Sequence, residues 1–480
     1  MLALAAPRAM AETNSHYVSD GRSFKKAIET INNSKDKNEN EIILMNGFTL
    51  EGDTTEYTLR RGTTTIKGEG NTITVNSGAG IKVTGEKTTL NLGANGYDKK
   101  LTIEGDGDAK IQAAFVTVSE GATANMYENV TLQNRKSMGN ACIVIMGSKS
   151  VFNMRGGVTE NCSRAAIADS GATFHMFDGE IKDCKVHGDG VILVNGESKF
   201  IMDGGTISGC EADAGGGLYA TNGSTININS GTISKCTAPA DNGGGLYADN
   251  STVTISGGTI SGCKGVWGGG LYAENSSTIE ISGGTISGCT VGAGGGLFVD
   301  SSTVRISGGI ISKCITSDTG NGGGLYAYNS TLNITGGTIK DNKAAHGGGV
   351  ALIGKTTFEK PITNWTVIGN EAYATGGVGG GIKLENGSMD VSAGSNRIYN
   401  NTADGHGADI FLLNDSSTIK LPNAANMYHD SSINIDGWYE DNPRYTPSKD
   451  GKAVTSLQLS GPLSLVASYK ASPVRIEIDA

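Results

Sequence analysis

The sequence predicts an all-β chain, a right-handed parallel β-helix (a solenoid of about 13 coils) with a short N-terminal capping helix. Three observations carry this expectation. A unit such as GGTISGCTVGAGGGLFVDSSTVRISGG, residues 283–309, recurs about every 26 residues. Each unit holds three short apolar runs separated by Gly, Asn, Asp and Ser, which suits strands and turns rather than helices. Thr, Ser, Ile and Val dominate the units, while glycine supplies 73 of the 480 residues and proline only 8. No strict G-X-Y period exists, so collagen is excluded.

Taken in order, residues 1–11 (MLALAAPRAMA) place a short apolar run before Ala9-Met10-Ala11, a small-x-small pattern. That reads as a residual signal peptide and leads us to expect export. Next, SFKKAIETI (residues 23–31) puts Phe24, Ala27, Ile28 and Ile31 on one helical face. A helix there would cover the open first coil and blunt its edge. EIILMNGFTL and TTTIKGEGNTITV look like the first coils. The solenoid is expected over residues 20–420. Residues 421–480 are expected to form either a C-terminal cap or the start of a further β module.

Within one repeat, Gly294-Gly295-Gly296 makes a turn and Leu297-Phe298-Val299 a short strand. After Asp300-Ser301-Ser302, residues 303–307 (TVRIS) alternate apolar and polar, the mark of a strand with one buried face. Gly308-Gly309 turns again before Ile310-Ile311-Ser312. No such strand can bury its apolar side alone. Stacked on its copy about 4.8 Å away it can, and Ile281 is then expected to face the core between Ile255 and Ile306.

One inward column follows. Cys184, Cys210, Cys236, Cys263, Cys289 and Cys314 each lie three residues after an isoleucine, and Cys162 fits the column less cleanly. Asn134 on one side, then Asn342, Asn370 and Asn401 on the other, extend it. Stacked amides can hydrogen-bond from coil to coil, and cysteine can act as a small buried filler in their place. Cys142 stands apart, in the glycine-triplet column. Adjacent coils bring Cα atoms within disulfide range, but stacked side chains point the same way, so buried free thiols are expected despite export.

Two outward columns are candidates for function. Tyr219, Tyr247, Tyr272, Phe298 and Tyr326 follow the Leu after the glycine triplet in five successive coils. If Leu and Ala of L-Y-A point inward, these rings point outward and form an exposed stripe near 20 Å long. They are the expected ligand-binding residues. The other column is Thr206/Ser208, Thr232/Ser234, Thr259/Ser261 and Thr285/Ser287. A flat hydroxyl ladder could match an ice lattice, but Ile310 and Lys340 interrupt it.

Catalysis and metal binding find little support. Asp404-Gly405-His406-Gly407 contains a GHG, yet His406 shares a turn column with His187 and His346. His346 and His406 are two coils apart, too far to share a zinc ion. Asp106-Gly107-Asp108 reads as a solvated turn rather than a calcium site. Clustered acidic and basic residues on one strand face of neighbouring coils, which a polysaccharide-cleaving site would need, are not evident. No cofactor is expected. The formal net charge of −10 argues against nucleic acid and anionic lipid as partners. No apolar run is long enough to span a membrane.

The pairing of a glycine-rich turn and aliphatic strand with I-x-x-N, as in TIKDNKAAHGGGVAL (338–352) and RIYNNTADGHGADIF (397–411), resembles the repeats of the polymorphic outer-membrane protein adhesins. More broadly it is similar to adhesin-like β-helix proteins of anaerobic bacteria and to the pectate-lyase-like superfamily. The resemblance covers about residues 20–420. It implies a secreted or cell-surface, non-catalytic binding protein of bacterial type, acting as a monomer on a glycan or a cell-surface protein. A polysaccharide lyase or glycoside hydrolase, or a structural stalk, remain the alternatives.

Overall fold

The structure, a computed structural model, describes residues 13–34, 39–52, 54–76, 78–105, 113–135, 141–391, most of 393–420 and three short strands beyond. The chain is an all-β parallel solenoid with one helix near its N-terminus. It divides into two compact units, residues 1–181 and 182–480. On the face built from alternating strands such as Thr303–Ile306, seven strands lie in the first unit and seven in the second, so the two together hold about 14 turns.

The first unit opens with a strand that the sequence pattern did not announce. Asn14–Val18 pairs in parallel with Glu39–Leu44, and the helix Gly21–Asn33 crosses between them. Asp20 caps the helix: its carboxylate accepts from the Ser23 backbone N–H at 2.7 Å, and the Ser23 hydroxyl accepts from the Asp20 N–H at 3.1 Å. Phe24, Ala27, Ile28 and Ile31 are the buried residues, as the periodicity requires. Phe24 packs on Phe48 and Tyr57 of the first coil, with ring centroids 5.6 and 6.0 Å apart.

The register of the first unit corrects the Asn134 assignment. Leu132 pairs with Thr159 and Gln133 with Glu160, which sets Asn134 opposite Asn161 and Arg135 opposite Cys162. Asn134 and Asn161 share a left-handed backbone, with φ of 61° and 53°. Asparagine tolerates that conformation, which suits Asn134 to the bend before the column rather than to the column itself. The residue inside the column is Arg135, fully buried with its guanidinium 5.3 Å from the centre of the Phe115 ring. Burial lowers its pKa to about 10, so it stays charged at neutral pH.

A second correction concerns the thiols. Cys142 and Cys162 form a disulfide, while Cys184, Cys210, Cys236, Cys263, Cys289 and Cys314 are free and buried. The glycine triplets explain the exception. A Cβ placed on Gly245, the last glycine of its triplet, would lie 3.3 Å from the Cys263 sulfur; on Gly296 it would lie 3.4 Å from that of Cys314. The third glycine therefore faces the cysteine column. Cys142 holds that glycine's place in its own turn, so its sulfur points at Cys162 instead of along the stack.

The second unit is more regular. Leu297–Asp300, Thr303–Ile306 and Ile310–Ser312 form one turn, and each pairs in parallel with its copies in the neighbouring turns. Leu297, Val299, Val304, Ile306 and Ile311 are buried, each worth about 1.5–3 kcal/mol relative to exposure. Ile281 pairs with Ile255 on one side and Ile306 on the other, as expected. Ile310 and Lys340 occupy the Thr and Ser columns of the hydroxyl ladder. A fourth, minor sheet was not foreseen: Thr290–Val291, Ile315–Thr316, Lys343–Ala344, Glu371–Ala372 and Thr402–Ala403 stack at the corner after the cysteine column.

The asparagine ladder is present and buried. The Asn342 side chain donates to Asn370 Oδ1 at 2.9 Å, and that of Asn370 donates to Asn401 Oδ1 at 2.9 Å. Asn401 in turn donates to the buried carboxylate of Asp409 at 2.8 Å. In the cysteine part of the column each thiol donates to the carbonyl two residues earlier, for example Cys314 to Ser312 at 3.3 Å. Beyond the last described turn, Leu463–Ala467 pairs antiparallel with Ile410–Leu412, and Leu457–Gln458 with Thr418–Lys420. The proposed signal peptide, and with it most of residues 421–480, lies outside the described residues.

Candidate binding surface

The second unit's glycine triplet is shaped by what its three Cβ positions would meet. Gly294 has φ +63°, and a Cβ there would come within 2.7 Å of the Phe298 Cβ. On Gly295 it would lie 2.4 Å from the Gly323 carbonyl, and on Gly296 2.5 Å from Ile311. The triplet thus lets the corner close down between the aromatic column and the cysteine column. This is why an aromatic, a glycine triplet and a cysteine recur together.

That closure changes the reading of the aromatic column. Tyr219, Tyr247, Tyr272, Phe298 and Tyr326 pair in register on successive strands, as expected. Their centroids are 4.7, 4.9, 5.2 and 4.5 Å apart in that order. The exposure does not follow. Tyr247, Tyr272 and Phe298 are only 6, 2 and 7% exposed, and Tyr219 and Tyr326 are half-buried at the two ends. The rings point away from the Leu/Val/Ile core but form a second cluster with Ala214 and Ala293 from the glycine corners. The column stops at Ala351, followed in register by Lys383 and Phe411.

The exposed aromatic at this place is Trp267, 44% exposed, beside Val266. Its indole stacks on Phe298 at 5.4 Å with 11° between the planes. Its backbone is fixed as well: the Trp267 N–H donates to Asn242 Oδ1 at 3.1 Å, and Val266 N–H to the Asp241 carbonyl at 2.9 Å. The sequence held a signal for it. The residue just before the triplet reads Ala214, Asn242, Trp267, Ala293, Asn321 and His346, and one large apolar side chain stands out among them.

Carboxylates gather along the hydroxyl tips of the ladder. Asp249 pairs in register with Glu274, and Asp300 holds the same terminal place on the next strand. Glu274 accepts from the Tyr247 hydroxyl at 2.6 Å and from the Tyr272 hydroxyl at 3.0 Å. Asp249 accepts from Thr221 at 3.2 Å and Asn275 at 2.8 Å. Burial first, then these carboxylates, push the Tyr219, Tyr247 and Tyr272 hydroxyls well above the usual tyrosine range. Burial with Glu385 pushes Tyr326 up to about 12. A second charged row exists on the alternating face, where Arg305 reaches Glu359 at 3.1 Å and Glu280 at 3.8 Å. Clustered charge on neighbouring coils is therefore present, contrary to expectation; it is invisible until residues about 26 apart are brought side by side.

Among the described residues the turn-column histidines do not join a metal-holding group. His187 is exposed, 3.7 Å from Asp213. His346 accepts from the Val378 N–H at 3.2 Å, and burial, helped by Lys383, lowers its pKa and keeps it neutral at pH 7. His406 and Asp106-Gly107-Asp108 lie outside the described residues. Among the described residues no group of three or more His, Cys, Asp and Glu is placed to hold a metal ion. None of their helices is long and apolar enough to cross a membrane.

Stacked parallel turns, a ladder of inward Asn and Cys, and outward columns in register define a β-solenoid that displays one surface repeatedly. The family model described as right handed beta helix region matches residues 118–306 and 190–371, and the chain belongs to that family. No curated protein matches the chain, and no solved structure does.

Proposed function

We propose that the protein is a secreted or cell-surface, adhesin-like binding protein without catalytic activity, and that it presents its repetitive surface to a glycan. The observation that carries this is Trp267, an exposed indole held in place by a stack of buried rings. Exposed tryptophan on a rigid support is the usual composition of a binding hot spot. The five ladder residues then act as its foundation rather than as the contact surface. The Cys142–Cys162 disulfide supports an oxidising compartment. The test is a glycan array probed with the wild-type chain and with Trp267→Ala. The variant should lose binding while its melting shifts little, since removing one stacked ring costs about 0.5–1.5 kcal/mol. Undiminished binding would remove Trp267 from the surface. Asp249 and Glu274 on adjoining strands favour one second reading, a polysaccharide-cleaving enzyme. Release of reducing ends from a glycan by the wild-type chain, lost in Glu274→Gln, would establish it.

A further inference from the structure

The ring ladder on which Trp267 stacks is edged by carboxylates. Asp241 lies on the segment that hydrogen-bonds Val266. Asp249, Glu274 and Asp300 line the tips of the rings beneath. None of these four carboxylates has a Lys or Arg partner among the described residues. The carboxylates that raise the Tyr219 and Tyr272 hydroxyls, after burial, are Asp189, Asp241, Asp249, Glu274 and Asp300. The basic group on the same segment, Lys264, sits in the corner column between Thr237 and Thr290.

An aromatic face and an unpaired carboxylate attract the same kind of group. The ring quadrupole draws a cation, and the carboxylates complete its ion pair. A uronic acid or sulfated sugar placed there would be repelled by these carboxylates. Charge complementarity therefore selects within the glycans, and we infer that the Trp267 surface takes a glycan bearing free amino groups, its ammonium lodged against Asp241 and the Asp249–Glu274–Asp300 row. The inference rests on the glycan-binding reading above and adds the ligand's charge.

The experiment titrates the full chain with four probes: a fully deacetylated chito-hexaose, its fully N-acetylated counterpart, a galacturonate hexamer and polylysine. The deacetylated hexamer should bind about tenfold tighter than the acetylated one, the yield of two or so exposed ion pairs. The gap should close as salt rises to about 1 M, where screening acts within roughly 3 Å. Asp249→Asn with Asp300→Asn should narrow the gap, chiefly by weakening the deacetylated hexamer, and a gap of undiminished size in this variant would also overturn the charge inference. Equal binding of both chito-hexaoses, or tighter binding of the galacturonate, overturns the charge inference and leaves the glycan reading standing. Binding of polylysine alone overturns it in favour of a basic protein partner. Glycan binding that is unaffected by Trp267→Ala overturns the underlying reading instead.

Discussion

Replacing Asn370 with alanine should be among the costliest single changes in the second unit. Asn370 is fully buried, and its side chain serves two turns at once. Its Oδ1 accepts from the Asn342 backbone N–H at 3.0 Å and from the Asn342 amide at 2.9 Å. Its Nδ2 donates to the carbonyls of Ile339 and Ile368 and to Asn401 Oδ1. Truncation orphans the Asn342 N–H and one of that residue's amide hydrogens, both sealed from water. The second amide hydrogen of Asn342 keeps the Ile311 carbonyl at 3.1 Å. At about 1–3 kcal/mol for each orphaned buried donor, the loss is about 2–6 kcal/mol. Asn333→Ala is the control: its amide donates to Glu359 at 3.0 Å in an exposed setting, and its loss should stay within about 0.5–1 kcal/mol. Urea unfolding of both variants measures the difference, with an unchanged slope showing that the two-state comparison holds. Faster exchange of the Asn342 amide hydrogen would locate the damage. A loss at Asn370 no larger than at Asn333 would mean that the ladder contributes no more than a surface contact.

Four further outcomes are expected. Gly296→Ala should cost about 1–3 kcal/mol in denaturation because its Cβ would sit 2.5 Å from Ile311 and 2.7 Å from the Gly324 carbonyl; a neutral effect would show that the corner can open. Ile281→Ala should cost about 2–5 kcal/mol and its outward neighbour Glu280→Ala within about 0.5, and equal losses would contradict the strand phase. Thiol titration should count six groups of the eight cysteines in denaturant without reductant, eight after reduction and almost none in the native protein. Finally, the folded chain holds the ladder tyrosine protons more tightly than the unfolded chain does. Their contribution to stability is whole below the unfolded value of about 10 and is lost as pH rises past it, for Tyr326 through about 12. Denaturation midpoints at about pH 9 and about pH 11 should fall accordingly, and ladder tyrosines that ionise with the exposed ones while the circular dichroism is intact would contradict this.

Much of the fold was legible because a solenoid writes its contacts into the sequence at a fixed interval. The period-two alternation of residues 303–307 set which side chains point inward, and the neighbours of Ile281 followed from the repeat alone. The helix was legible from Phe24, Ala27, Ile28 and Ile31. What the repeat could not show is how far each corner folds back over its own turn. Alternation gives a side chain's direction relative to the core, so Tyr272 was rightly placed outward, but not whether a corner such as residues 292–296 covers it. Cover depends on turn conformation, which three consecutive glycines leave open. The same gap hid Trp267, the carboxylates below it, and the pairing of Cys142 with Cys162. Arg135 was missed for another reason: it stands three residues after Leu132, in the place that cysteine or asparagine takes elsewhere, but a charged side chain is the last to be sought in a buried column, and Asn134 beside it matched the expected residue type.

The disulfide has a bearing on how such a chain can change over time. Gly217, Gly245, Gly270 and Gly296 each face a sulfur in the way that Cys142 faces Cys162. Two of the four glycine codons, GGU and GGC, differ from a cysteine codon by a single base, so a turn encoded by either lies one mutation from a covalent clasp, opposed by the close contacts that a Cβ would make there. A lineage moving to a harsher oxidising habitat could lock its turns one at a time. One kept in reducing surroundings could discard the clasp it has and still retain the thiols as packing.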